Sequence, residues 1–583
     1  MGELRGNHFH GGLDIRTGYR TGLPVHASAD GYISYIQISS HGYGYMLHAK
    51  HATGLVTVYA HLERFREDLQ VVAQDQQRSR DAFEVVHYPA AGVYKVARGE
   101  VIGWSGNTGS SGGPHLHYEV RDTNDVVLNP LHFGFKEVQD RLAPYMSSLT
   151  VRTFGLNSRV NSVFGLEKVP IKYVGKNTYV ATPLKLRGTV GFQILARDRI
   201  NNGTQHTGIS CIELRVDGKE VYSVNLERFQ FRQTGHINVH IDYELLRQTG
   251  DRYQKVYADD GNQVGNTSGA LERGYLTVNE PGQHTYEIIC YDAYGNTCRL
   301  KGSYTLDDSP LFVTAKAAGA SDVSFKVCEN ILKITASGPL AHTDSLGVWV
   351  QGQFLALAPR FYMGSKNVYL YDLRLGVPDS LGSVICRKKT NLIGSIPSGQ
   401  VCRASSNGWG ICFRYTSLFD TCYLNVQGKP DQRDFEFGNP DQPLFTHIDV
   451  RAKLLQPLGP KEAYYLVAGG RLKWLKTHQV QDSLWFETKY FGRFKVLKDS
   501  TPPLARVVQA NSSGFKVIIK DNLSGIRDFH VYLNNKPLAL EYDHKRDLVW
   551  VTAQELDIAG KGALDFVVRD NCGNEKRVKA AIL

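Results

Sequence analysis

The sequence predicts a mainly β protein of several modules, with one helical insertion near its start. Three observations carry this reading. At about 150 residues per domain, 583 residues suggest roughly four domains. Short runs of β-branched and aromatic residues alternate with turn signals along the chain, and 57 Gly and 31 Tyr stand against only 4 Met. One stretch departs from that rhythm: Leu62 to Phe83 holds no Gly or Pro, and Leu62, Phe65, Leu69, Val72 and Ala73 follow the three-four spacing of an amphipathic helix.

Taken in order, Gly31 to Gln37 and Leu55 to Leu62 read as strands, and Gly42-Tyr43-Gly44 as a turn between such runs. The helical insertion occupies about 64–94. Strand and turn return from Gly92 to Gly103, and Leu116 to Arg121 is another strand. Arg141 to Tyr145 reads as a linker that closes a first domain, 1–145. β-Sandwich modules are expected at 146–309, at 310–499 (one or two units) and at 500–583. Asp308-Ser-Pro310 and Asp499-Ser-Thr-Pro-Pro503 mark the boundaries, because Pro removes a ladder donor and biases its predecessor towards extended turns. Tyr286 to Asn296 and Leu564 to Asn574 echo each other as a strand followed by Asp-x2-Gly-Asn, with Phe192 to Asp198 and Asn201-Asn202-Gly203 as a looser copy. Ca²⁺ binding is one reading of these copies; ordinary turn chemistry is the expected one.

Composition sets bounds on function. Hydrophobic residues at 42% and charged residues at 21% exclude wholesale disorder. A formal charge of +10 over this length is too diffuse to indicate nucleic acid, though it suits anionic envelope polymers. No run of 18 apolar residues is present, so no transmembrane segment is expected. Met1 to Asn7 is not a signal peptide, which implies either a cytosolic protein or a natural start further upstream. All nine Cys lie beyond residue 200 in no metal-knuckle spacing. Four fall between Cys386 and Cys422, where a disulfide or small buried thiols are the two readings.

Histidine points to chemistry: 11 of 20 lie in the first 145 residues. Three segments concentrate it: His8-Phe9-His10-Gly-Gly-Leu-Asp14, Tyr59-Ala-His61-Leu62, and the Gly-rich run ending in Pro114-His115-Leu-His117-Tyr118-Glu119. On a strand His115 and His117 project to one side, and Tyr59 and His61 likewise share a face. Gly11-Gly12 lets His10 and Asp14 bend towards one ion. A catalytic zinc takes three protein ligands and keeps a fourth position open. His10, Asp14 and one of His115 or His117 supply that number, which leaves the other late histidine and His61 for proton handling. Glu119 shares the face of His117, as an orienting partner of an imidazole or as plain strand polarity. The Gly-rich run lacks the Gly-Lys-[Ser/Thr] ending of a P-loop. His240 and Asp242 are a candidate second metal pair with no third ligand in view.

The run His10-Gly-Gly-Leu-Asp14-Ile15, the Tyr59-to-Leu62 strand and the run from Ser105 to Asp122 resemble the LytM/lysostaphin-type zinc peptidases of family M23, over roughly residues 1–135. The resemblance implies an antiparallel β-sheet peptidase domain with a groove over the sheet. It implies His10, Asp14 and His117 as ligands of one Zn²⁺, and His115 and His61 as catalytic histidines. It implies hydrolysis of peptide cross-links in peptidoglycan by a zinc metalloendopeptidase. The later modules resemble, more loosely, immunoglobulin-like tails of large M23 proteins of Bacteroidetes-type bacteria. Expected partners are peptidoglycan peptides, with envelope protein or glycan partners for the tail, in an extracytoplasmic setting. The alternatives are a non-catalytic wall-binding or hydrolase-activating protein, and a peptidase acting on a secreted protein.

Overall fold

The computed structural model describes residues 1–6, 8–201, 206–264, 266–268, 273–314, 322–337, 345–382 and 387–582. Part of the third Asp/Gly-Asn copy (Asn202, Gly203) and Cys386 fall outside these residues. The fold is mainly β, with 53% strand and 9% helix. The eight described cysteines are free thiols.

The chain divides into two compact units: Met1–His10, Lys136–Pro457 and Thr477–Lys495 form one, and Gly11–Phe135, Leu458–Lys476 and Val496–Leu583 the other. In the second unit, the N-terminal strands are β1 (Leu13–Arg16), β2 (Gly31–Ile38), β3 (Tyr45–His51) and β4 (Val56–Phe65). After α1 (Glu67–Arg80) come β5 (Val85–His87), β6 (Val101–Ser105), β7 (His115–Arg121) and β8 (Val126–Leu128). The sheet runs β8-β7-β4-β3-β2-β5; β1 pairs with β7, and β6 with β4. Every one of these pairings is antiparallel.

The helix is shorter than its spacing predicts, for a physical reason. Leu62 and Phe65 belong to β4, whose alternation is broken twice: Tyr45 faces Leu62 while Leu47 faces Tyr59, and Trp104 faces Arg64 while Ser105 faces Leu62. Each β-bulge adds a residue, so buried positions recur three apart and imitate a helix. The helix proper starts at Glu67, carries Glu67 and Asp68 in its first turn and Arg78 and Arg80 in its last, and stops at Asp81 with φ 45°. Leu69, Ala73 and Gln77, four apart, are its buried stripe.

The same unit holds the C-terminal module, two four-stranded sheets. One contains Leu504–Asn511, Gly514–Lys520, Leu548–Thr552 and Glu541–Asp543; the other Lys536–Pro537, Ile526–Leu533, Gly562–Asp570 and Glu575–Ile582. Their inner faces and the N-terminal sheet share one hydrophobic core, which joins Leu47, Leu69 and Phe83 to Phe515, Val531 and Phe566. The insertion docks on this module: Gln77 Nε2 donates to the Leu540 carbonyl at 3.1 Å, and Arg78 pairs with Glu555 at 2.6 Å. In the other unit, Tyr145–Val160, Leu184–Arg197, Gln283–Tyr291 and Thr297–Leu306 belong to one large sheet, with smaller sheets beyond it.

Candidate metal and catalytic centre

β7 brings the site together. In register, Asp14 of β1 stands directly opposite His117, and Ala60 of β4 flanks His117 on the other side. Close approach of the chain is required here: a Cβ on Gly12 would lie 2.5 Å from the Tyr118 carbonyl oxygen and 2.8 Å from the His117 ring, so only glycine fits. His117 Nδ1 lies 3.0 Å from Asp14 Oδ1, and its Nε2 2.8 Å from Glu119 Oε1. His10, the residue through which the chain enters this unit, is 5% exposed. His10, Asp14 and His117 each offer a donor atom within 4.8 Å of the others.

His61 is placed against strand alternation. The sequence expects Tyr59 and His61 on one face, but Tyr59 lies opposite Tyr118 in the core and stacks edge-on with it at 5.5 Å. His61 sits in the first β-bulge of β4 at φ 60°, in the left-handed region. That turn of the backbone flips its ring to the His117 side, 4.8 Å from the His115 centroid and 5.9 Å from that of His117. Its Nδ1 meets the Thr108 carbonyl at 2.9 Å. His115 Nδ1 meets the Gly113 carbonyl at 2.7 Å. A carbonyl only accepts, so whenever either ring is neutral its Nδ1 carries the proton and its Nε2 presents a lone pair. His115 Nε2 is buried without a hydrogen-bond partner, 3.4 Å from Asp14 Oδ1. Burial pushes the His61 pKa down to about 3, with His117 and His115 adding to the fall, so His61 stays neutral.

The His117 ring is held the opposite way. Burial opposes its charge, but hydrogen bonds to Asp14 and Glu119 more than offset this and raise it to about 9. Glu119 is fully buried, and although burial opposes its charge, His117 and Arg121 hold its carboxyl well below the usual range. Arg121 Nε donates to Glu119 Oε2 at 2.6 Å, and the Tyr43 hydroxyl donates to Oε1 at 2.6 Å. Arg121 is two residues beyond Glu119, and the alternation that selects His117 and Glu119 would have found it. Tyr43 carries no signal in its glycine turn. This donor set fits a zinc ion: two imidazoles and a carboxylate, around a point where buried carboxylates already favour positive charge.

The Gly-rich loop before His115 is clamped from the C-terminal module. Lys545, in the turn after Glu541–Asp543, donates to the carbonyls of Asn107, Gly109 (3.2 Å) and Ser111 (3.4 Å). His544 stacks on His41 at 4.4 Å, and Gly42 next to it exchanges hydrogen bonds with Ser110. Lys545→Met releases a loop that orients His61 and His115, and we expect roughly tenfold slower turnover from the looser geometry. Lys545→Arg should restore most of it, with kcat and KM measured separately for each variant.

His240 and Asp242 do not form a second metal site. Asp242 pairs with Arg152 at 2.6 Å and caps the helix Tyr243–Thr249 through Leu245 N–H. His240 is fully buried, 3.3 Å from Gln254 Oε1, and burial lowers its pKa to about 4. A histidine whose folded pKa lies below its unfolded value contributes stability above the unfolded pKa, and that contribution is lost as pH falls through the folded one. Between pH ~6.5 and ~4 this group alone should cost about 3 kcal/mol. His240→Asn should flatten that part of a denaturant-unfolding pH profile.

Residues 8–78 match the model of peptidase family M23. Over 122 residues the chain is 38% identical to the DD-carboxypeptidase/endopeptidase Mpg of Neisseria meningitidis, 21% of this chain and 22% of that protein. It is 36% identical over 110 residues to the cell division protein DipM of Caulobacter vibrioides, 19% of this chain and 14% of that protein. The catalytic domain of the M23 protein EnpA from Enterococcus faecalis is 30% identical, covering 23% of this chain and 83% of that one at a TM-score of 0.17. The chain thus spans about a fifth of the length of the curated relatives it matches.

Proposed function

From an N-terminal domain that belongs to peptidase family M23, we propose that the protein is a zinc-dependent endopeptidase that hydrolyses peptide cross-links of peptidoglycan outside the cytoplasm. One observation carries this reading: the donor atoms of His10, Asp14 and His117 converge within 4.8 Å, with His115 and His61 beside them. Mpg and DipM, a DD-carboxypeptidase/endopeptidase and a cell division protein, support a wall peptide as substrate.

His10, Asp14 and His117 would hold the zinc. When bound, it supplies Lewis acidity to a carbonyl and to a water. The chain's own residues supply proton transfer. In their neutral forms His115 and His61 turn an Nε2 lone pair away from their carbonyl partners, so either would accept a proton from the attacking water and return it to the leaving amine. The Thr108 and Gly113 carbonyls keep both rings in that tautomer and stabilise the imidazolium that forms. Glu119, fixed by Arg121 and Tyr43, anchors His117 through Nε2 and leaves Nδ1 on the Asp14 side.

The test is digestion of purified sacculi by the zinc-loaded full chain, with released fragments identified by mass spectrometry. Cross-linked dimers converted to monomers support the proposal. Release of terminal D-alanine alone would make the protein a carboxypeptidase. No release from sacculi, with cleavage of a secreted protein instead, would overturn the substrate.

A further inference from the structure

Each compact unit holds a cluster of three carboxylates separate from the His10, Asp14 and His117 cluster. Asp140, Asp198 and Asp292 each bring an oxygen within 4.8 Å of the others, and so do Asp499, Asp521 and Asp570. The two clusters are the same construction. Asp140 and Asp499 each precede the opening strand of a β module, Tyr145–Val160 and Leu504–Asn511. Asp292 and Asp570 begin the repeated Asp-x2-Gly-Asn turn. In both turns the Asn backbone N–H donates to the Asp Oδ1 at 2.8 Å, and the Asn amide donates to Oδ2 at 2.7 Å and 2.6 Å. The same amides also reach the backbone carbonyls of Asp140 (3.3 Å) and Asp499 (2.9 Å). The third carboxylate, Asp198 or Asp521, directly follows a strand. Three residues later, the N–H of Asn201 or Ser524 donates to Asp140 or Asp499, at 3.2 Å and 3.0 Å.

Turn chemistry explains only part of this. Asp198 uses Oδ2 for the Thr207 hydroxyl, yet its Oδ1 is buried without a partner, and the residue is 2% exposed. Asp140, 8% exposed, uses Oδ1 for Leu142 and Asn201 and leaves Oδ2 buried without a partner. Asp521 Oδ1 is stranded in the same way. The Asp198 carboxylate lies within 4.8 Å of its two fellows, and burial, with the charges of Asp292 and Asp140 adding to it, lifts its carboxyl to about 6. Among the described residues no lysine or arginine side chain pairs with any of the six; Lys461 reaches the Asn574 side-chain carbonyl instead. Buried carboxylates that repel one another and lack a basic partner call for a cation.

We propose that each cluster is a binding site for a calcium ion, which ties the residue entering a β module to that module's closing turn. All-oxygen donors select a hard divalent ion rather than zinc, and calcium accepts the irregular geometry of three turns, with carbonyls and waters completing its shell. Two sites of one design, in two modules of one chain, also give the repeated Asp-x2-Gly-Asn its role.

The test is equilibrium dialysis of the zinc-loaded full chain against millimolar calcium, with bound calcium measured by elemental analysis. Wild type should retain two calcium ions, Asp198→Asn and Asp570→Asn one each, and the double variant none. Thermal unfolding supplies the second readout: calcium should raise the wild-type midpoint and leave the double variant unmoved. Because Asn removes a repelling charge and Asp198 Oδ1 has no partner to lose, calcium-free Asp198→Asn should unfold no lower than calcium-free wild type; Asp570→Asn also loses an acceptor of the Asn574 amide and is read by calcium content alone. A wild type that retains no calcium, a double variant that binds as much as wild type, or a calcium-free Asp198→Asn variant less stable than calcium-free wild type would each overturn the proposal. The half-exposed Asp521→Asn gives the same reading for the second site if Asp570→Asn does not fold.

Discussion

His117→Ala is expected to slow sacculus hydrolysis by at least about 10³-fold, which corresponds to ~4 kcal/mol of lost transition-state stabilisation. His117 is 4% exposed and sits between Asp14 and Glu119. Its removal takes away one of three donors and leaves two carboxylates facing a cavity. Elemental analysis should therefore find zinc well below one ion per chain, with the fold retained by circular dichroism. A variant that holds stoichiometric zinc and cleaves at the wild-type rate would eliminate the ligand assignment.

Glu119→Ala should damage the fold as well as the site. The carboxylate is fully buried and neutralises Arg121, which is 5% exposed. Removing it strands a buried guanidinium, and loss of one partner of a buried pair costs about 3–5 kcal/mol. Asp125 also pairs with Arg121, at 2.8 Å, but it lies at the surface and offsets only part of that cost. Glu119→Gln separates the two effects. It keeps volume and a hydrogen bond to His117 but removes the charge, so zinc affinity should fall roughly 10–100-fold while much of the stability survives. Chemical denaturation and competitive zinc titration measure the two separately. A Glu119→Gln variant with unchanged affinity would reduce Glu119 to a purely structural residue.

Much of this is legible in the sequence. The β class follows from turn signals and aromatic strands, and His117 and Glu119 share a face because strand side chains alternate. The same rule fails at His61, because a bulge at φ 60° turns its ring to the opposite side. It fails again at Leu62 and Phe65, where two bulges give buried strand residues a helical spacing. The docking of α1 on the C-terminal module, through Gln77 and Arg78, has no local signature, since a helix's own periodicity does not name the distant surface it meets.

The sequence by itself determined which residue types exist to bind a metal and handle protons, and on which strands and turns they lie, because those depend on local periodicity and chain chemistry. Only the tertiary structure decided which ring nitrogen each histidine presents, that Arg121 and Tyr43 brace Glu119, and that aspartates more than 90 positions apart share a cluster. Those facts depend on strand pairing between distant segments, on bulges that shift a side chain by half a repeat, and on burial that leaves a polar atom without water. None of these is set by the residues next to it.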